Sequence, residues 1–275
     1  MRRAWPVWRT ALFVAGLAAM LAALVSPIDA IAAERFSVHM VQHMLLTVVA
    51  VPLLLLGQPV RPLLRGLPSG VRRGVVRPIA RSRPVRAALH LLRHPLVAGA
   101  LYVGGLYAWH LPALYDAALA DERIHVAEHA WFLVTALVFW SVVIDPEPFR
   151  GTLGYAARLP YLLVAGAAQN TVLGGILSFS SRLLYLLLAG AAQNTVLGGI
   201  LSFSSRLLYS GYAVTQRVGE DYLERLTDQR VGGAIMWVTG DVIFLAGASV
   251  SFFLWLDSEE RSQRRRERLA GKVNT

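Results

Sequence analysis

Seven stretches of the chain contain no Asp, Glu, Lys or Arg: residues 10–28, 36–60, 94–115, 124–144, 159–181, 183–205 and 242–256. A helix rising ~1.5 Å per residue needs roughly 20 apolar residues to cross ~30 Å of hydrocarbon, and most of these stretches are that long. The last is long enough only if its helix begins near Val231 and carries Asp241 inside it. With 55% hydrophobic and 16% charged residues, the chain has more apolar surface than a soluble domain of its size can bury. The expected fold is an all-α, multi-pass transmembrane helix bundle of about six core spans plus a duplicated 24-residue segment. Residues 1–256 form the helical domain and 257–275 a basic tail.

The basic residues lie in the connections, not on an aromatic-interleaved surface, which argues against nucleic acid as partner despite a net charge of +10. Nine arginines fall between Arg61 and Arg93; Arg2, Arg3 and Arg9 precede the first span; six more Arg and Lys residues occupy the tail. The positive-inside tendency puts all three regions, and both termini, on the cytoplasmic side of a plasma membrane. Arg2 and Arg3, the apolar run and the small residues before Ala33 also suit a cleaved secretory signal. The run is long for a signal core, so a retained first helix is expected. The chain has no cysteine, which excludes disulfides and thiolate ligands.

Residues 161–184 are repeated at 185–208 with one change, Val164 against Leu188. Two units do not make a solenoid. If both copies crossed the bilayer, the arginine-rich tail would move outside, so a six-span core with one displaced copy is expected. Asp241, about ten residues into the last span, must be protonated, hydrogen-bonded to Asn or Gln of the repeated helix, or paired with arginine. The Gly104–Gly105, Gly174–Gly175 and Gly232–Gly233 pairs are expected at close helix contacts.

Five histidines stand near span ends on the predicted outer side: His39 and His43 in HMVQH, His110 in WHLP, and His125 and His129 in HVAEH. Residues four apart share a helix face, so each pair can offer two imidazoles to one ion. Neutral imidazole suits copper, zinc, iron and nickel, and thioethers of Met40, Met44 or Met236 would favour Cu(I). His90 and His94 fall at the opposite, cytoplasmic interface and are read as interfacial. HVAEH also fits the H-x-x-E-H pattern of zinc hydrolases with Glu128 as base, although Glu128 can equally orient a histidine. Three readings stay open on these residues: a metal-handling factor, a zinc metallohydrolase, and a haem-binding electron carrier.

The segments 36–59, WHLPALYDAAL (109–119), HVAEHAWFLVTALVFW (125–140), AQNTVLGGILSFSSRLLY and DQRVGGAIMW (228–237) resemble the CtaG-type cytochrome c oxidase assembly factors of bacteria. The likeness runs from about Ser26 to Leu256, apart from the extra repeat. It departs from the usual pattern at Arg230, where Gln is expected, and at Thr239, where Pro is expected. The resemblance implies a non-enzymatic, multi-pass plasma-membrane protein that supports copper delivery to a haem-copper oxidase. Its partners would be the oxidase catalytic subunit, a copper donor protein and the bilayer. The implied ligands are His39, His43, His110, His125 and His129.

Overall fold

The computed structural model describes residues 5–148, 152–168, 201–209 and 222–273. They are helical and contain no strand. Four helices are long and apolar enough to cross a membrane: α1 (Val7–Val25), α3 (Phe36–Leu56), α9 (Glu122–Ile144) and α11 (Tyr222–Val273). Between them lie α2 (Pro27–Ala32), α4 (Val60–Gly66), α5 (69–81), α6 (Arg83–Leu92), α7 (Pro95–Trp109), α8 (Pro112–Ala120) and α10 (Tyr155–Ala168).

Helix boundaries follow local chemistry. Ser26 caps α2 by accepting from the Ile28 N–H at 3.1 Å, and Pro27 takes the first-turn position that needs no donor. Asp121 caps α9 through the Arg123 N–H at 2.7 Å. The third apolar stretch, predicted to run to Tyr115, makes a helix only as far as Trp109. Pro112 holds Leu111 extended (φ −64°, ψ 131°), so the chain turns at His110 and starts α8 instead.

Proline also shapes α3. Pro52 has no N–H, and residues 45–50 widen into a π turn in which the Val51 N–H donates to the Leu46 carbonyl, five residues back. The Thr47 carbonyl loses its α-helical donor to this shift, and its π-register donor would be Pro52. The buried Trp140 indole donates to it at 3.0 Å instead, so α9 completes the hydrogen bonding of α3.

The main core joins α3, α7, α9, α10 and α11 through Val48, Val51, Tyr102, Phe139, Trp140, Leu162 and Phe244. Helix α1 leans on α3, where a Cβ on Gly16 would stand 2.8 Å from the Leu54 nitrogen and 2.9 Å from the Ala50 oxygen. Of the glycines expected at contacts, Gly105 lies under the Trp131 indole and Gly232 under the Phe36 ring. Gly104 instead faces open space, and Gly174 and Gly175 lie outside the described residues.

Both repeat copies contribute to the packed structure. The first copy supplies Leu162 and Ala165 to the main core from its opening residues. The second supplies Leu201 and Leu208, from its closing residues, to a second cluster with Phe36, Met40, Tyr115 and Tyr209. Gln229 of α11 holds that closing segment, accepting from the Leu208 N–H at 2.8 Å and donating to the Arg206 carbonyl at 3.2 Å. The repeat's Asn and Gln, proposed as partners for Asp241, lie outside the described residues.

The last span is part of an unbroken helix of 52 residues, about 78 Å long, which carries the basic tail beyond any bilayer thickness.

Candidate metal centre

The starts of α3 and α9, the end of α7 and the start of α8 meet at one end of the bundle. His39 and His43, one turn apart on α3, have their Nε2 atoms 2.9 Å apart. His125 and His129, one turn apart on α9, have ring centroids 4.2 Å apart. Across the helices, His39 lies 5.3 Å from His125 and His43 lies 5.3 Å from His129, centroid to centroid. His110, at the C-cap of α7, completes the group at 6.4 Å from His43. All five histidines singled out from sequence are therefore in one cluster, whereas His90 and His94 are exposed elsewhere.

Glu128, fully buried, sits between the pairs with carboxylate oxygens 3.9 Å from the Nε2 atoms of both His39 and His43. Its two oxygens, and Nε2 of His110, His125 and His129, are buried without a hydrogen-bond partner among the described residues. Unpaired buried polar atoms are costly, and their convergence here suits a bound cation. Two triads bring one donor atom from each residue within 4.8 Å of the others: His39, His125 and His129, and His39, His43 and Glu128. Two bonds of about 2.0–2.1 Å to imidazole nitrogen separate their ligand atoms by at most about 4.2 Å, so a shared ion would draw these donor atoms closer together. The residues present thus fit a first-row metal ion held by nitrogen and one carboxylate.

Neighbouring groups orient these rings. His110 Nδ1 donates to the Leu106 carbonyl at 2.8 Å, which leaves the Nε2 lone pair directed into the cluster. Tyr115, buried in α8, is hydrogen-bonded through its hydroxyl to His39 Nδ1 at 2.9 Å. Gln42 donates to the Ala23 carbonyl at 2.8 Å and to Asp29 at 2.7 Å, tying α3 to the α1–α2 corner. Ser37 donates to Asp228 through its hydroxyl and through its backbone N–H at 3.3 Å, fixing α11 beside the same end.

The methionines divide. Met40 and Met236 are buried in the aromatic cluster with Phe36 and Tyr115, the tyrosine hydrogen-bonded to His39. Met44 packs toward the main core around Phe139 and Trp140.

A family model described as cytochrome c oxidase caa3 assembly factor (Caa3_CtaG) matches residues 1–187 and again 177–258. The chain belongs to this family. The two matches to the assembly-factor family meet inside the repeated region, as a duplication within a single-copy pattern would produce. Uncharacterized proteins of Mycobacterium bovis and Mycobacterium tuberculosis are each 34% identical over 165 residues, covering 58% of this chain and 24% of the relative. One from Mycobacterium leprae is 30% identical over the same length. The match thus spans about a quarter of the length of these curated relatives. No solved structure matches the chain.

Tyr115 and Gln42 were not singled out by sequence reasoning. Tyr115 lies in WHLPALYDAAL, and its role depends on α8 folding back toward α3, which no periodicity reports. Gln42 lies between the two HMVQH histidines, and a polar residue so deep in an apolar helix was the available signal.

Proposed function

We propose that this chain acts in the maturation of a haem-copper cytochrome c oxidase by holding copper transiently at the histidine cluster and passing it to the oxidase catalytic subunit. The observation that carries the reading is the convergence of five histidines and Glu128 at one end of the bundle, with several buried donor atoms lacking any other partner among the described residues. Copper here is cargo. Histidines and a carboxylate, with Met40 and Met236 close by, bind it less tightly than a thiolate cage and leave it exchangeable. No turnover is needed, and no residue acts as an acid or base.

The positive-inside tendency supports a plasma-membrane orientation with both termini, the arginine-rich segment and the tail in the cytoplasm, and the histidine end outward. A copper donor protein and the oxidase subunit would then meet the site from the outer face. The zinc-hydrolase alternative uses the same HVAEH motif. There Glu128 would face a substrate-accessible water, whereas here it is buried against His39 and His43.

The test is oxidase maturation in cells whose only copy of this protein carries His39→Ala or His129→Ala. The reading expects oxidase subunits to accumulate with substoichiometric copper and low activity, partly restored by added copper. Full copper content in both variants would overturn it. A hydrolase would instead lose a measurable turnover in Glu128→Gln.

A further inference from the structure

The connection between α3 and α7 is more than a run of positive charge. Nine arginines lie from Arg61 to Arg93 and no Asp or Glu interrupts them. Its two ends are fastened to the same place. Arg61 pairs with Glu147, and Arg93 donates to the Ser141 carbonyl at 2.9 Å and to Asp145 at 3.3 Å, all at the C-terminal end of α9. Among the described residues, the seven arginines between those anchors are exposed and make no ion pair.

The stretch between the anchors is helical, and its charge is sorted by face. In α5, whose residues 72–76 widen into a π turn, Val71, Val75 and Ile79 recur every four residues, as do Arg73, Arg77 and Arg81; the rows are offset by two residues, about half a turn, and so stand on different sides of the helix. In α6, Val85, Leu89 and Leu92 follow the i, i+4, i+7 spacing of a single stripe, with Arg83, Arg86 and His90 off it. These apolar residues are not packed inside the protein: Val75 is 52% and Ile79 54% exposed. A topology signal requires only the arginines; it does not require an exposed apolar row beside them.

We propose that residues 60–92 form a strap lying in the plane of the bilayer surface and binding anionic phospholipid, with the apolar rows entering the headgroup–acyl boundary and the arginines holding lipid phosphates. The anchors at the end of α9, a membrane-crossing helix, keep the strap at interfacial depth. Amphipathic helices of this kind seat their apolar face about 5–10 Å into that boundary. Long arginine side chains reach back to the phosphates from a partly sunken helix. Each arginine near an anionic surface strengthens the association about fivefold. An acidic protein surface would satisfy the arginines but leave the Val75 and Ile79 row in water, so lipid is the occupant that matches both faces.

The experiment uses the full chain, whose lack of cysteine permits single labels without background. A spin label at Val75→Cys is read in nanodiscs of phosphatidylcholine alone and with added phosphatidylglycerol, through collisions with oxygen and with a water-soluble nickel chelate. A label at Val134→Cys, on the exposed face of α9, confirms in every sample that the bundle is folded and inserted. The expected result is oxygen-accessible, nickel-shielded Val75 with the anionic lipid. The ratio of embedded to water-exposed signal should fall by up to about a hundredfold when Arg73, Arg77 and Arg81 are all changed to Gln. Equal signals in both lipids, nickel accessibility throughout, or shielding from both reagents as by a protein partner would each overturn the proposal.

Discussion

Replacing Tyr115 with Phe isolates one contribution to the histidine cluster. The ring is buried, 4.2 Å from Tyr209 and 5.7 Å from Phe36, and Phe keeps that packing. Only the hydroxyl is lost, and with it the 2.9 Å hydrogen bond to His39 Nδ1. A net hydrogen bond is worth about 0.5–1.5 kcal/mol, and leaving a buried partner unsatisfied costs about 1–3 kcal/mol. Removing the outer partner of a metal-binding histidine typically weakens metal affinity about 10–100-fold. The metal-free protein should therefore melt only a few degrees lower, at about 2–4 °C per kcal/mol for a chain of this size. The Cu(I) dissociation constant, measured by competition with a chromogenic chelator in detergent or nanodiscs, should rise at least tenfold. An unchanged constant would refute the claim that Tyr115 orients His39 as a ligand.

Other consequences can be checked alongside. Gly232→Ala drives a methyl into the Phe36 ring and should cost about 1–3 kcal/mol, whereas Gly104→Ala meets open space and should leave the melting temperature unchanged. Trp140→Phe leaves the Thr47 carbonyl buried without its donor and should destabilise the bundle by about 1–3 kcal/mol, seen as a lower thermal midpoint. Deleting residues 169–192 regenerates one uninterrupted copy of the repeat while keeping the packed residues 161–168 and 201–208. That shortened chain should remain folded with equal or higher thermal stability, and loss of the folded monomer on size-exclusion chromatography would contradict it.

The helical class and the gathering of the histidines were legible in the sequence because both are periodic properties. Uncharged stretches report helices that need lipid, and four-residue spacing reports a shared face. Two apolar segments whose histidines sit at matching ends must bring them together if the helices pack side by side. Boundaries were less legible. The third stretch was shortened by the constraint Pro112 places on Leu111, which hydropathy does not register. The π turn of α3 similarly depends on Pro52 and on an indole donated by a helix far along the chain. Glycines divided for the same reason. Gly104 and Gly105 are adjacent in sequence, but only Gly105 points at a neighbour, and which of the pair does so is set by helix rotation. Repetition of the sequence suggested a six-span core with one displaced copy. Among the described residues of the repeat, those packed in the two clusters come from the beginning of the first copy and the end of the second.

Cu(I) titration of the purified chain bears most directly on the central claim, comparing the wild type with a His43→Ala, His129→Ala double variant. These two residues come from different helices, their rings are 5.3 Å apart, and neither pairs with Tyr115. The cluster described here predicts stoichiometric copper retained through desalting by the wild type and lost by the variant, with the helical content of both unchanged. Equal copper retention by the two proteins would contradict a shared site between α3 and α9.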